Sequence, residues 1–363
     1  MKPQKPKLNW QGKVIWYSNW LFTTILFLSF SAQYIDPREG IYLALMGLSF
    51  PIWLLFNLAF MTYWMVKIRV HFLLSFLGII LVLPHINSLY RLQSKQKVEN
   101  GDRNIKIMTY NVRMFNSYEW LKETNITDSI FNLIEIIQAD VLCIQEFHAT
   151  KKNQPRIQFP YSYIRYTNSS KSYGLALYSR FEIIDTGFVS YPDFIDLGTN
   201  TGFMWADLII EKDTVRIVNV HLASLKLQKS DFDLVEDPKL DDSETLKKSV
   251  KAMGGRIGSA FEKRGYQLFS IKKILENSPH PIILCGDFND THSSYAYKTV
   301  KKRLNDTYTE AGKGFSATYS EFAYPLRIDY IFTDVKFQVM SHHALRKHYS
   351  DHFPVIAEIK MPD

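Results

Sequence analysis

Three long stretches without a charged side chain occupy most of the first 90 residues of this 363-residue chain. They run over about residues 14–35, 40–66 and 70–90, and they contain 22, 27 and 21 residues. A helix needs about 20 mainly apolar residues to cross the hydrocarbon core of a bilayer, whereas a soluble helix of that length normally carries a polar face. We therefore expect three transmembrane helices, with residues 1–90 forming a membrane anchor and the lipid bilayer as a partner.

A cleaved signal peptide is the main alternative for the first stretch. Its length exceeds the roughly 7–15 residues of a signal-peptide core, and two further apolar stretches follow it. Five of the seven tryptophans also lie within residues 1–64, several of them near the ends of the stretches. Because amphipathic rings favour the membrane interface, this distribution favours the anchor.

The net charge of +7, from 43 basic and 36 acidic side chains, is at first sight typical of a nucleic-acid-binding protein. The excess is confined to the anchor region. Residues 1–95 hold nine Lys and Arg and two Asp and Glu, which leaves 34 groups of each sign in the remainder. The charge therefore gives no evidence that the rest of the chain binds nucleic acid.

The same charges predict the orientation of the anchor. Four lysines precede the first stretch, and Lys67 and Arg69 separate the second from the third, whereas the first loop has one basic residue, Arg38. The positive-inside rule then places the N-terminus in the cytoplasm. With three crossings, we expect a multi-pass integral membrane protein whose remaining residues lie on the non-cytoplasmic side.

Beyond the anchor, residues 91–104 are polar and charged and predict a linker, and residues 105–363 contain short apolar runs separated by turns and helical stretches. Many strands with few helices in about 260 residues predict a two-sheet α/β sandwich with helices outside. The two cysteines, Cys143 and Cys285, fall in predicted buried strands and are too few for a disulfide framework.

Polar side chains lie at the ends of the predicted strands at six places. They are Asn111, Gln145 with Glu146, His221, Asp287 with Asn289, Asp329, and Asp351 with His352. Strand ends bring side chains from distant sequence together, and although turns use Asp and Asn anyway, six places rich in carboxylate, amide and imidazole indicate a functional site. No glycine-rich phosphate loop or nucleophile elbow is present. Hard oxygen ligands suit Mg²⁺, with Mn²⁺ as a second choice, and histidines beside such an ion suit phosphoester hydrolysis.

These places carry a resemblance to a known family. The motifs are Thr109-Tyr110-Asn111-Val112, Ile144-Gln145-Glu146, Asn219-Val220-His221-Leu222, Gly286-Asp287-Phe288-Asn289, Arg327-Ile328-Asp329-Tyr330 and Ser350-Asp351-His352. Together, in this order, they resemble the endonuclease/exonuclease/phosphatase superfamily, which includes DNase I, abasic-site endonucleases, neutral sphingomyelinases and inositol-polyphosphate 5-phosphatases. The resemblance implies a four-layer α/β sandwich of DNase I type for residues 105–363.

The resemblance also implies a metal site. Glu146 would be the principal ligand, Asn111 would lie beside the metal and the scissile phosphate, and Asp351 would sit near the metal.

Catalytic roles follow in the same way. Asp287 would orient the attacking water or share the metal, and Asn289 would donate to the phosphate. His352 would be the general base or an imidazolium that faces the phosphate, with Asp329 holding it in one tautomer. His221 resembles a second histidine of the DNase I, sphingomyelinase and phosphatase branches, and it argues against a dedicated abasic-site endonuclease.

The sequence thus predicts a membrane-anchored, Mg²⁺-dependent hydrolase that cleaves phosphodiester bonds and is nuclease-like. The substrate would be a nucleic acid or a phospholipid headgroup, because a phospholipid or phosphoinositide hydrolase would use the same site. A non-catalytic membrane scaffold on the same fold is the alternative from another class. No protein partner is predicted.

Overall fold

The computed structural model describes residues 8–92, 104–149, 156–167, 172–190, 202–224, 243–321 and 326–362. The chain divides into two compact units, one comprising residues 1–87 with 293–295 and the other comprising residues 88–292 with 296–363. Most of the segment predicted as a linker lies outside the described residues.

The first unit is helical. Its elements are α1 (Trp10–Ser31), a 3₁₀ turn (Ala32–Tyr34), α2 (Ile41–Leu48), α3 (Phe50–Val66) and α4 (Phe72–Ile86). Asn9 caps α1, because its side-chain oxygen accepts a hydrogen bond from the Gly12 amide at 2.9 Å.

The helices correct the expectation of three membrane spans. Among the described residues, one helix, Trp10–Tyr34, is long and apolar enough to cross a membrane. The second stretch is broken, because α2 and α3 are bent by 62° and Pro51 lies in the first turn of α3. The third forms a helix of 15 residues, which is short for a span. The structure therefore supports one such helix, or two if the bent pair forms one span, and the orientation argued from three crossings loses its basis.

Several polar side chains are buried in the helical unit, and many large apolar ones are exposed. The Thr23 hydroxyl donates to Asn57 Oδ1 at 2.7 Å, and the Ser75 hydroxyl donates to Asn19 Oδ1 at 2.6 Å. All four residues are buried, whereas many large apolar side chains are exposed, among them Leu21, Leu55, Leu77 and Leu81. Leu26, Phe50 and Val82 are buried as well, so the unit has a mixed interior and an unusually apolar surface.

The second unit contains two six-stranded sheets, with helices beside them. Its strands are β1 (Asn104–Asn111), β2 (Val141–His148), β3 (Tyr161–Tyr166), β4 (Tyr173–Ser179), β5 (Glu182–Ser190), β6 (Gly202–Ile210), β7 (Asp213–His221), β8 (Ile282–Asp287), β9 (Asn305–Asp306), β10 (Asp329–Thr333), β11 (Gln338–Ala344) and β12 (Val355–Lys360). Its helices are α5 (Ile126–Ile137), α6 (Ser243–Asn277), α7 (Tyr295–Lys301) and α8 (Thr307–Ala311). The prediction of a two-sheet α/β sandwich is confirmed.

The two sheets have similar topologies. Sheet A has the order β11-β12-β1-β2-β4-β3, and sheet B has the order β5-β6-β7-β8-β10-β9. Each sheet contains one parallel pair, β1 with β2 and β7 with β8, among antiparallel neighbours. An apolar core that includes Ile107, Cys143, Ile217 and Ile283 draws on both sheets, so both sheets bury one face against each other.

Residues 88–91 form part of the second unit. The backbone of Arg91 pairs with Gly314, with hydrogen bonds of 3.2 and 2.8 Å. The buried Arg327 guanidinium donates to the Ser88 carbonyl at 3.1 Å and to Asp306 Oδ2 at 2.8 Å. The segment thus supplies a carbonyl to a buried charge, which would otherwise be costly to leave unsatisfied.

Candidate active site

Six strands bring the predicted site residues to one edge of the sandwich. Asn111 and Gln145 are register partners at the ends of the parallel strands β1 and β2. In sheet B, His221 pairs with Asp287, which in turn pairs with Asp329 at the start of antiparallel β10. Since β12 runs antiparallel to β1, its start, just after His352, lies at the same edge.

The centre of the site is an amide between two carboxylates. Asn111 Nδ2 donates to Asp287 Oδ2 at 3.0 Å and to Glu146 Oε1 at 3.4 Å, so it links sheet A to sheet B. His221 Nε2 lies 3.8 Å from Glu146 Oε1 and 3.6 Å from Asp287 Oδ2. These four predicted residues therefore come together.

An aspartate–histidine pair stands beside this centre. His352 Nδ1 lies 2.9 and 3.2 Å from the two carboxylate oxygens of Asp329, and both residues are buried. The other ring nitrogen, Nε2, lies 3.8 Å from Asp287 Oδ2. Burial alone would lower the pKa of His352, but the carboxylates of Asp329 and Asp287 outweigh it and raise that pKa well above its usual value. The pair therefore favours an imidazolium held by a carboxylate.

The turn after β8 fixes Asn289. Gly286 has φ +138°, and a Cβ there would lie 2.0 Å from the Val220 carbonyl oxygen, so the close pairing of β8 with β7 requires glycine. Asn289, at φ 50°, donates its amide N–H to Asp287 Oδ1 at 2.7 Å. Its side-chain amide donates to Asp287 Oδ2 at 3.1 Å and to the Leu222 carbonyl at 3.0 Å. The structure thus places Asn289 in the site, where it orients Asp287.

Asp351 lies on the other side of the site. Its Oδ2 is 3.3 Å from Arg113 Nε, and its Oδ1 accepts from the Ser350 hydroxyl at 3.0 Å. The same Ser350 Oγ lies 2.9 Å from the Asn111 carbonyl oxygen, so its single proton is shared between two acceptors, and the contact ties the turn before β12 to the end of β1.

The donor set suits a divalent cation. Burial raises the pKa of Glu146, and the nearby carboxylates of Asp351 and Asp287 add to this effect. A bound cation would therefore stabilise the ionised form of Glu146. His221 Nε2 is buried and has no hydrogen-bond partner among the described residues. Ligand atoms of Asp287, Asp329 and His352 also lie within 4.8 Å of one another.

Two amides beneath the site, Gln145 and Asn219, stand in the family motifs, but the sequence assigned neither of them an individual role. Gln145 Nε2 donates to Asn219 Oδ1 at 2.7 Å, which joins the sheets a second time. Asn219 Nδ2 donates to the carbonyls of Ile144 at 3.1 Å and Ala176 at 3.0 Å. The available signal was an amide at an inward-facing position of an otherwise apolar strand.

Helix α6 also contributes two residues that the sequence did not reveal. The buried Arg264 donates through Nη1 to the Asn289 carbonyl, and its Nε lies 3.5 Å from Asp290 Oδ2. One turn later, Gln267 Oε1 accepts from the Ala223 amide at 2.8 Å. Residues three apart share a helix face, so one face of α6 holds both the loop after His221 and the loop of Asn289.

Family sequence profiles match parts of both units. That of the Endonuclease/Exonuclease/phosphatase family matches residues 108–352, and that of a domain of unknown function matches residues 12–89. Among curated proteins, none matches the chain in sequence.

Solved structures share the fold of the second unit at low identity. A conserved protein of unknown function from Enterococcus faecalis V583 is 20% identical with a TM-score of 0.52, covering 71% of this chain and 100% of its own. The endonuclease/exonuclease/phosphatase from Bacteroides vulgatus is 19% identical with a TM-score of 0.51, covering 71% and 99%. The human Nocturnin catalytic domain with a bound sulfate anion is 17% identical with a TM-score of 0.50, covering 73% and 97%. Because the profile match spans more than half of the sequence, the chain belongs to the Endonuclease/Exonuclease/phosphatase family, whose members are hydrolases acting on phosphoester bonds.

Proposed function

We propose that the second unit is a divalent-metal-dependent phosphodiesterase of nuclease-like activity. The observation that supports this most directly is the Asn111 amide between the Glu146 and Asp287 carboxylates, with the Asp329–His352 pair beside them. Such a buried set of carboxylates, amide and imidazolium is costly for folding, and its convergence at one edge favours a catalytic use.

The metal would be held by Glu146 with Asn111 and Asp351. Members of the family generally use divalent metals. Glu146 has a raised pKa although the His221 ring lies 3.8 Å away, and among the described residues no Lys or Arg forms an ion pair with it. Asp329, by contrast, faces His352 at 2.9 Å, and His352 carries its own positive charge. We therefore place the ion on the Glu146 side of the site and not within the cluster of Asp287, Asp329 and His352. Mg²⁺ suits these oxygen ligands, and it would neutralise charge on the phosphate.

The protein side chains divide the remaining work. Water attacks phosphorus, the ester P–O bond breaks, and the leaving oxygen takes up a proton from solvent water, to which Asp287 later returns the proton that it accepts. The Asp287 carboxylate, held from two directions by Asn289, orients the water and accepts its proton. His352, fixed at Nδ1 by Asp329, donates from Nε2 to a non-bridging oxygen, where charge develops in the transition state.

We further propose that the first unit attaches the enzyme to a membrane through α1. Trp10–Tyr34 spans 25 residues with a mean hydropathy of 1.3 over its most apolar window. The exposed leucines and buried amides of the unit favour apolar surroundings.

The test uses the full chain in detergent with Mg²⁺, assayed side by side on plasmid DNA, RNA, sphingomyelin and inositol phosphates. We expect metal-dependent cleavage of nucleic acid, abolished by EDTA, and a loss of about 10³-fold in kcat for Glu146→Gln. Glu358→Gln, which removes the same charge from an exposed strand residue 3.8 Å from Lys106, is the matched control.

Two outcomes would overturn the proposal. Turnover that survives in Glu146→Gln would exclude the assigned metal site. Absence of any metal-dependent hydrolysis by the folded wild type would favour a non-catalytic scaffold.

A further inference from the structure

The loop after β1 has an unusual backbone. Four consecutive non-glycine residues, Arg113 to Asn116, adopt positive φ values between 41° and 58°. Left-handed conformations are unfavourable for non-glycine residues, because Cβ then lies too close to the following carbonyl oxygen. Surrounding contacts hold this turn in place. The Phe115 ring is buried beside Phe131 and Phe147, and the Asn116 side chain binds both the amide and the carbonyl of Leu121 at 3.0 Å.

The turn presents two large aromatic side chains to solvent. Tyr118 is 61% exposed and Trp120 is 46% exposed, although burial of such rings would be favourable. Their ring centroids lie 5.6 Å apart. The His148 ring stacks near Tyr118, with centroids 6.0 Å apart and an interplanar angle of 25°. We call Tyr118 and Trp120 the aromatic shelf.

The aromatic shelf adjoins the active site at both of its ends. On one side, His148 ends the strand that carries Glu146. On the other side, the Arg113 guanidinium lies over the Trp120 ring at 4.9 Å, and its Nε is 3.3 Å from Asp351 Oδ2. A ligand on the shelf would thus begin next to the residues that we assign to the scissile phosphate.

The charges around the shelf restrict its ligand. Arg113 is already neutralised by Asp351 and by Glu321 at 2.6 Å, so it offers little to a phosphate. Glu119, between the two rings in sequence, is exposed. These acidic groups disfavour insertion of the loop into an anionic membrane surface. Flat, exposed rings whose adjoining guanidinium is already paired instead suit another planar π-system, and every nucleobase has such a face.

We propose that Tyr118 and Trp120 stack an unpaired nucleobase beside the scissile phosphate, so that the substrate of this phosphodiesterase is single-stranded nucleic acid. This inference rests on the proposed function for its catalytic consequences. The shelf would bind without sequence preference, because stacking needs only a base face.

The test compares two single-stranded oligonucleotides of equal length, one of thymidines and one with tetrahydrofuran abasic residues on the same phosphodiester backbone. Binding to the full chain in detergent is followed by fluorescence anisotropy, and cleavage is followed with Mg²⁺. For Trp120→Ala we expect Kd and KM to rise about tenfold on the thymidine strand, with kcat unchanged and the abasic strand unaffected. Trp120→Phe should restore most of the affinity. The control is Phe269→Ala, which removes an exposed ring that lies on α6 and outside the aromatic shelf.

The outcomes separate the inference from the proposed function. Equal losses on both strands, or no loss, would overturn the shelf and leave the phosphodiesterase intact. Base-dependent binding without cleavage would support the shelf and overturn the proposed function. If Trp120→Ala instead abolished binding to phosphatidylcholine–phosphatidylserine vesicles with oligonucleotide binding unchanged, the shelf would be a membrane contact and the inference would be wrong.

Discussion

Three buried asparagines allow the two units of the chain to be compared. Asn57 in the helical unit, Asn219 in the sandwich core and Asn111 in the site are each at most 1% exposed. Asn57 and Asn219 direct their donors to backbone carbonyls, whereas Asn111 directs its donors to two carboxylates. Burial of a polar side chain is therefore no sign of catalysis in itself, and the charge of its partner distinguishes structure from chemistry. The same change, Asn→Leu, tests all three positions.

Asn111→Leu should have the largest effect. Without the amide, Glu146 and Asp287 face each other with no donor between them, and we expect kcat/KM to fall by about 10³-fold, which is about 4 kcal/mol of barrier. The free energy of unfolding should also fall, by about 1–3 kcal/mol, because the Arg113 backbone amide loses its Asn111 Oδ1 acceptor at 3.1 Å and two buried carboxylates lose a donor. Steady-state kinetics and urea unfolding check both values, and a purely structural loss would contradict the comparison.

Asn219→Leu should lower stability and leave turnover nearly unchanged. It removes the acceptor of one Gln145 N–H, which keeps its contact with Thr109, and it removes a donor from the carbonyls of Ile144 and Ala176. Buried unsatisfied groups cost about 1–3 kcal/mol each, and with partial rearrangement we expect a loss of about 3 kcal/mol in urea unfolding. The kcat of the remaining folded protein should stay within about threefold of wild type; a loss as deep as that of Asn111→Leu would erase the distinction.

His342 is a titratable side chain that, like Asn57 and Asn219, has a structural role. Its Nδ1 lies 2.9 Å from the Thr307 hydroxyl, which itself donates to the Ile331 carbonyl, so Nδ1 carries the proton; Nε2 lies 3.1 Å from the Ser316 hydroxyl. Burial lowers the pKa of His342 to about 3.

The unfolded chain takes up a proton on this residue below about pH 6.5, whereas the folded chain stays neutral until much lower pH. His342 therefore favours folding above pH 6.5 and loses this contribution as the pH falls towards 3. We expect about 2 kcal/mol less stability at pH 5 than at pH 7 from this residue. In His342→Gln that difference should shrink by the same amount, while the exposed His343→Gln control should retain it.

Arg264→Lys tests a residue with both kinds of partner, the Asn289 carbonyl and the Asp290 carboxylate. Lysine keeps the charge but cannot reach two groups in a fixed fork. We expect kcat to fall about tenfold with KM nearly unchanged, because Asn289 then holds Asp287 less firmly. Arg303→Lys, at an exposed ion pair with Glu276, is the control. A rise in KM at constant kcat would show that Arg264 does not act through Asp287.

Asn57→Leu should have the smallest effect. Its partners are the Phe22 and Trp53 carbonyls, which belong to helices, and the Thr23 hydroxyl. Hydrogen bonds between helices in membranes average about 0.6 kcal/mol. We expect a local loss of that order, read as faster hydrogen exchange over residues 50–66, with no change in kcat. A fall in turnover would link the helical unit to the chemistry.

The sequence predicted the convergence of these residues because each polar group lies at one end of an apolar strand, and strand pairing brings such ends together. It could not find the link between Gln145 and Asn219, since that contact depends on how two separate sheets align. Arg264 stayed hidden for a similar reason, because a helix face shows its period but not the loops it contacts. The exposed rings of Tyr118 and Trp120 depend on a left-handed turn that no residue in Arg113–Asn116 signals, as none is glycine. The three apolar stretches form helices as predicted, but the second stretch, predicted as a single span, is broken where Pro51 lies in the first turn of α3.

The contact of Arg327 with the Ser88 carbonyl matters for anyone who shortens this protein. A fragment cut at residue 104 keeps the whole family match, which begins at residue 108, yet it removes the Ser88 carbonyl and Arg91, the backbone partner of Gly314. In the truncated protein, water would have to replace the Ser88 carbonyl as a partner of the Arg327 guanidinium, which is buried in the intact chain and lies two residues before Asp329. The practical N-terminal boundary for fusions, swaps and crystallisation is therefore residue 88, well before the first recognisable motif.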